Sequence, residues 1–413
     1  MNSKTIRLMA VSAVCVCAFA ATADVMDRPA GIKIGQRMTL KPYVSASATY
    51  DSNVGSRKSG KKGDVMWTIS PGFNLDYIQE KWSLLLSGYY TYHAYCDSRN
   101  DRYNQHSYGE NFRWNWSDGQ DAGRGWSIML SESYNRISMA DDFTLSDGRT
   151  YNGDRGQFNV NGAVQRRFNE NWHASVLAGY YNLDYDNDTD HGSGLYGWQR
   201  WSASADIGFA PSRWTDFIAM VGYQGYNQDN AGNVGGQNIS RNSDGYTAQV
   251  GLGSFATERI SYRLLAGWSR FDYGRGHSDD GFVYTGSLNW QISNTLQTML
   301  VASSYYQPSE YERASRSRID SLSWGLSKSL VSGKLNATFD TVYRHETIDR
   351  ISGALGEDYE LDVLSGRLGF TYILNRFFTV FTYGEYIRSW DSKSGGGYDY
   401  DRWRVTCGLR LTY

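Results

Sequence analysis

The sequence predicts an all-β chain that folds as a transmembrane antiparallel up-and-down β-barrel of about 18 strands, with short periplasmic turns and longer extracellular loops. Three observations predict it. Runs of about ten to fourteen residues alternate apolar and polar side chains with the period of a pleated strand. Between the runs, very short connections take turns with long polar ones. Aromatic residues make up 15% of the chain, with 32 tyrosines and 14 tryptophans, and they gather beside those connections.

Composition excludes the competing classes. Mean hydropathy is negative, and no mature segment approaches the roughly 18 consecutive apolar residues of a membrane helix. The chain is too aromatic for disorder. Five prolines against 44 glycines, without a Pro/Ser-rich linker, argue for one large domain. The net charge of −2 and the dispersal of basic residues argue against a nucleic-acid partner. A soluble sandwich or propeller would explain neither the alternating connections nor the placement of the aromatics.

The N-terminus reads as a secretory signal peptide over residues 1–23. Lys4 and Arg7 precede an apolar run from Leu8 to Ala21, and Ala21-Thr22-Ala23 supplies the small residues before the cut. Cys15 and Cys17 lie inside the apolar run behind valines, where lipid attachment needs a small residue, so they leave with the signal. Cys96 and Cys407 remain and are expected as unpaired thiols. Residues 24–39 are a short periplasmic lead-in, and the barrel occupies residues 40–413.

The strands follow in order. Leu40 to Tyr50 is the first, Val65 to Ile78 the second and Trp82 to Tyr95 the third. In the second, Trp67, Ile69, Phe73, Leu75 and Tyr77 share a face with Pro71, opposite Thr68, Ser70, Asn74 and Asp76. In the third, Trp82, Leu84, Leu86, Gly88, Tyr90 and Tyr92 oppose Ser83, Ser87, Thr91 and His93. Runs starting at Trp172, Trp201 and Phe282 repeat the outward set. The stretches Leu296 to Tyr306 and Phe377 to Ile387 alternate too poorly to assign a face.

Short connections fall at 79–81, 118–124, 169–171, 211–213, 257–258, 293–294, 332–333 and 375–376. Long ones fall at 51–64, 96–104, 138–153, 186–197, 228–243, 274–280, 308–316, 349–356 and 392–397. An even strand number leaves both termini on the periplasmic side. Trp82, Trp116, Trp126, Phe168, Trp172, Phe209, Trp214, Trp290 and Phe377 adjoin the short turns, and tyrosines crowd the loop ends. These two populations read as the lower and upper aromatic girdles at the lipid headgroups.

The final strand, Tyr400 to Tyr413, has the sharpest division. Trp403, Val405, Cys407, Leu409, Leu411 and Tyr413 take one face, while Arg402, Arg404, Thr406, Gly408, Arg410 and Thr412 take the other. Barrel-assembly machinery recognises such a strand by its terminal aromatic, which makes that machinery an expected partner through Tyr413, beside outer-membrane lipid and lipopolysaccharide.

Several motifs yield to plainer readings. Gly55 to Lys61 has the letters of a phosphate-binding loop but lacks the following Ser or Thr and the strand-to-helix context, so it reads as a cationic surface loop. Asp184, Asp186, Asp188 and Asp190 are spaced for a hard cation. Gly192 comes one place late for an EF-hand and no Glu closes the loop, so no metal is expected. The six histidines are scattered, and neither G-x-S-x-G nor H-E-x-x-H occurs, so no catalytic site and no cofactor are expected.

Charged residues on the polar faces are the informative set. Asp76, Arg113, Arg167, Asp206, Asp340, Arg367, Arg402, Arg404 and Arg410 are the lumen-lining candidates, with Lys41, His173 and Asn289 beside them. An Arg or Lys at the membrane midplane costs about 2–4 kcal/mol, so this face is wet or internally paired. Arg402, Arg404 and Arg410 alternate at roughly 7 Å per two residues and predict a vertical cationic track with weak anion selectivity.

Tyr43 to Val54, containing Tyr50-Asp51-Ser52-Asn53, the second-strand Ile69-Ser70-Pro71-Gly72-Phe73, the tyrosine-rich third strand and the Leu409-to-Tyr413 ending together resemble the putative β-barrel porin 2 family of Gram-negative bacteria. The resemblance covers Leu40 to Tyr413. It implies an outer-membrane barrel, some of whose relatives accompany exopolysaccharide gene products, and carries over no catalytic residue. The leading expectation is a porin-like channel for passive diffusion of small hydrophilic solutes. The alternatives are an export conduit for an acidic polysaccharide and a non-conducting structural or adhesive barrel.

Overall fold

The computed structural model describes residues 31–54, 59–97, 104–118, 125–144, 150–185, 197–212, 214–228, 233–234, 237–238, 242–254, 259–273, 278–308, 315–350, 359–392 and 399–413. The signal-peptide reading, Cys15 and Cys17, the tip of the 55–61 loop, and Asp186, Asp188 and Asp190 lie outside the described residues.

Eighteen antiparallel strands close on themselves. The first nine are β1 Met38–Asp51, β2 Asp64–Ile78, β3 Trp82–Tyr95, β4 Gln105–Ser117, β5 Gly125–Thr144, β6 Thr150–Arg167, β7 Trp172–Tyr185, β8 Trp198–Ser212 and β9 Thr215–Gln228. The others are β10 Asn242–Gly253, β11 Ile260–Asp272, β12 Ser278–Ser293, β13 Leu296–Pro308, β14 Ser315–Ser329, β15 Leu335–Arg350, β16 Tyr359–Ile373, β17 Phe378–Asp391 and β18 Tyr400–Thr412. Each strand pairs with its sequence neighbours, and β18 pairs with β1 from Tyr43 opposite Thr412 to Asp51 opposite Arg404. That seam leaves no free edge, which a sheet in hydrocarbon could not tolerate.

Alternation assigns the faces as the pattern predicts. Along β18, Arg402, Arg404 and Thr406 are buried while Trp403, Val405, Cys407 and Leu409 are exposed. On other strands, outward Val250 is 68% exposed and Val221 60%. A continuous apolar exterior of this kind fits lipid and would be an aggregation hazard in water. Cys96 and Cys407 are both free and exposed.

At the rim of short turns, Tyr77 stacks on Trp82 at 4.7 Å, Trp172 meets Phe209 at 4.8 Å, and Phe377 stacks on Tyr413 at 6.0 Å. Arg166 lies over Trp126 at 4.5 Å. The lower girdle is therefore a packed belt with cations beside it.

Four details differ from the sequence reading or extend it. First, β1 begins at Met38, and a short strand, Ile32–Ile34, adds to it with Ile32 opposite Leu40. The reason is that β18 ends at Thr412, so the first residues of β1 would otherwise present unpaired backbone on that side. Second, the stretch 138–153, read as a loop, is largely a continuing hairpin: Ser138 pairs with Asp154 and Ala140 with Asn152. Third, the 228–243 loop contains a two-residue ladder, Asn233–Val234 with Gln237–Asn238. Fourth, β13 and β17 acquire definite faces. Register places Phe381, Tyr383, Glu385 and Ile387 with inward Arg367 and Ser365. Apolar residues on the inner face had blurred the alternation there. Gly408 accommodates Phe381, since a Cβ at that position would lie 2.3 Å from the ring.

Replacing outward Leu409 with Arg should cost about 2–4 kcal/mol if its position is near the midplane. We expect less of the heat-modifiable folded band for Leu409→Arg and for Tyr413→Asp, with Leu409→Phe behaving as wild type. Normal yields of Leu409→Arg would mean that the two faces are reversed.

Candidate functional site

The interior begins at the β1–β18 seam. Asp51 is fully buried and receives both Arg402 and Arg404. Arg402 Nε donates to its two carboxylate oxygens at 2.8 and 3.0 Å, and Arg404 Nε reaches Oδ2 at 3.1 Å. A backbone N–H from Asn53 adds a bond at 3.0 Å, and the Tyr95 hydroxyl approaches at 3.4 Å. Arg404 also faces Glu385 at 3.8 Å. One step down, Thr49 and Thr406 share a bond at 2.8 Å.

This arrangement changes the expected cationic track. Arg402 and Arg404 point inward but are 2% and 7% exposed and are bound to a carboxylate. Arg410 alone of the three is exposed, with its guanidinium 4.8 Å from the Tyr43 ring centroid. The series therefore carries far less free charge than its spacing suggests. Sequence reasoning missed Asp51 and Glu385, although Asp51 shares strand parity with inward Ser45, Ser47 and Thr49 and opposes Arg404 once the barrel is closed.

The other candidates divide between paired and open. Asp206 accepts from Ser175 at 2.7 Å and from Arg263 at 3.1 Å. Asp76 binds Lys41 at 2.6 Å. Asp340 and Arg367 are opposite in register, and Arg367 lies 3.8 Å above the Tyr383 ring. Arg113 is open to solvent, held by Asn115 at 3.3 Å and near the Met129 sulfur. Arg167 opposes His173 across the ladder, and His173 Nε2 bonds Asp216 at 2.8 Å. Gly208 makes room for that imidazole, since a Cβ there would lie 2.0 Å from Nε2. Inward Asn289 receives a bond from Gln297 at 2.9 Å.

Exposure splits the interior along the barrel axis. In the half nearer the short turns, inward Asn74, Asn111, Arg113 and Arg410 are exposed on β2, β4 and β18. The sector from β7 to β11 is tighter, with His173, Asp206, Asp216 and Gln249 buried. In the half nearer the loops, Leu183, Trp198, Tyr226, Phe271, Val283, Ile348, Leu361 and Ile387 belong to one packed cluster. A buried pair, Arg344 with Glu346 at 2.5 Å, adjoins Leu361 and Val363 in register.

The loop-end tyrosines must accordingly be divided. Tyr50, Tyr90, Tyr108, Tyr246 and Tyr386 face outward as an upper girdle. Tyr226, Tyr273, Tyr359 and Tyr400 instead join the buried cluster. Strand ends spoil the parity signal, so sequence alone had placed all of them in the girdle.

Described histidines are dispersed. His93 bonds Thr68, His173 bonds Asp216, and His345 bonds Asp362 on the outer face. Among the described residues, no group of three or more His, Cys, Asp or Glu side chains could hold a metal ion. Lys61 forms an ion pair with Asp401 at the loop rim.

The model of the family described as "Putative beta-barrel porin 2" matches residues 27–413. No curated protein matches the chain in sequence. Solved structures similar to it include the FrpB iron transporter from Neisseria meningitidis (F5-1 variant), at 9% identity and TM-score 0.49, covering 92% of this chain and 83% of that one. The outer membrane protein OpdK from Pseudomonas aeruginosa matches at 15% identity and TM-score 0.41, covering 91% and 99%. The ferric enterobactin receptor PfeA mutant (R480A_Q482A) from Pseudomonas aeruginosa matches at 7% identity and TM-score 0.42, covering 90% and 80%.

Removing Asp51 would take the shared carboxylate from two buried guanidinium groups, leaving Arg404 the longer contact to Glu385; breaking a buried ion pair typically costs about 3–5 kcal/mol. Asp51→Ala should therefore lower the temperature at which the folded band is lost and the urea concentration at unfolding. Removing exposed Arg113 should move neither by a comparable amount.

Proposed function

The chain belongs to the putative β-barrel porin 2 family, and on that premise we propose that it forms an outer-membrane channel for passive diffusion of small hydrophilic solutes, with both termini at the periplasmic rim. The observation that carries this reading is the exposed polar inner wall on β2, β4 and β18, in a barrel of the strand number that leaves an aqueous lumen in porins. Lipid and lipopolysaccharide surround the exterior, and the assembly machinery engages β18 through Tyr413.

A second reading, a barrel that conducts nothing, is favoured by the packing of the loop half and by the buried pairs at Asp51 and Arg344. The conduit for an acidic polysaccharide draws less support than the arginine spacing suggested, because Asp51 holds Arg402 and Arg404. A solute path therefore narrows toward the loop end.

Planar-bilayer recording separates the channel from the closed barrel. Purified protein with an intact heat-modifiable fold should give stepwise openings; consistent silence from such protein contradicts the channel. Exposed Arg113 and Arg410 should make the open state weakly anion-selective. Arg113→Glu with Arg410→Glu should then move the reversal potential toward cations, with the difference shrinking as salt rises and the Debye length falls from about 10 Å at 0.1 M to about 3 Å at 1 M.

A further inference from the structure

Beneath the packed cluster, the inner wall of β8 to β13 holds a cavity of about 300 Å³ that the charge pattern did not reveal. Register builds it in tiers. Ser202, Gln224, Gly245 and Phe271 face one another on successive strands, and Ser204, Gly222, Thr247 and Ser269 form the next tier. Gly222 and Gly245 leave a depression between neighbours that carry side chains. Hydroxyl and amide groups floor it, while Phe271, Tyr305 and Tyr306 give it an apolar wall.

One polar atom in this lining lacks an acceptor: Arg200 Nε is buried without one. The Arg200 guanidinium lies 5.6 Å from the Tyr181 ring centroid and 5.9 Å from that of Trp198, and forms no salt bridge among the described residues. Inward Arg402, Arg404, Arg344 and Arg263 each have a carboxylate. A guanidinium kept from such a partner and set over a hydroxyl-rich hollow is complementary to an anion that also carries hydroxyls.

We propose that this cavity binds a sugar ring bearing a carboxylate, with Arg200 taking the carboxylate. The Ser/Thr/Gln floor takes ring hydroxyls, and Phe271 and the tyrosines cover the apolar face of the ring. The cavity is at the small end of ligand pockets, which suits one ring and not a chain segment. The assignment rests on the interior being a solute path, and the experiment separates the two.

Isothermal titration of the full-length protein in detergent would use galacturonate, galactose and benzoate as probes. Galacturonate should bind, and galactose and benzoate should each bind about tenfold or more weaker, since each lacks one half of the recognition. Arg200→Gln should weaken galacturonate by a similar factor; it strands no carboxylate, so the fold should survive. Gly222→Leu should fill the hollow and abolish binding, since a Cβ there meets nothing closer than 3.7 Å. Absence of galacturonate binding to wild type, equal binding of galactose or benzoate, or indifference to Arg200→Gln would each overturn the assignment. Bilayer recording on the same preparation tells the two failures apart. Protein that binds galacturonate but never conducts refutes the solute path and keeps the site, whereas protein that conducts without binding refutes the site alone.

Discussion

Hydrocarbon offers no hydrogen bond to a peptide group, so every N–H and C=O of a membrane-spanning sheet must find its partner within the sheet. In this chain that constraint is met at the seam where β18 meets β1, residues more than three hundred positions apart. Once the seam closes, strand parity has only two destinations. Leu, Val and Trp go to lipid, and Arg, Asp, Ser and Asn go inside. Even the small strand Ile32–Ile34 answers the same demand, covering the stretch of β1 that β18 does not reach.

Closure also explains why the strongest electrostatic contacts are where they are. The seam is the most expensive contact in loop-closure terms, because it joins the two ends of the polypeptide. It carries Asp51 between Arg402 and Arg404, a group of charges sheltered from screening. The arrangement fixes register, since sliding β18 by one residue would turn its arginines to lipid. The same pairing removes charge from the barrel interior, so seam strength and interior electrostatics draw on the same side chains. Arg113 and Arg410, by contrast, stay exposed on the inner face of the half nearer the short turns.

Much of this architecture was legible in the residues because a two-residue period is a local signal. Trp67, Ile69 and Phe73 declare their face without reference to any other strand, and the alternation of turns and loops orders the barrel. Legibility fails where the inner face is itself apolar, as with Phe381, Tyr383 and Ile387, because polarity no longer distinguishes lumen from lipid. It fails again at the loop ends, where Tyr226 and Tyr400 look like girdle residues yet pack inward. The direction of the arginines could be read; their partners could not. Asp51 lies 351 residues from Arg402, and parity gives no account of which strand lies opposite. The cavity beside Arg200 was hidden for a related reason, being made by small residues on six strands, each ordinary in its own run.

The two-faced wall is the claim on which the rest stands, and cysteine labelling along β1 tests it most directly. In a background with Cys96 and Cys407 replaced by Ser, single cysteines at Val44, Ser45, Ala46 and Ser47 would be exposed to a charged, water-soluble maleimide in the folded protein in liposomes. The account predicts labelling at Ser45 and Ser47 and protection at Val44 and Ala46. Labelling in the opposite alternation, or without alternation, would contradict it.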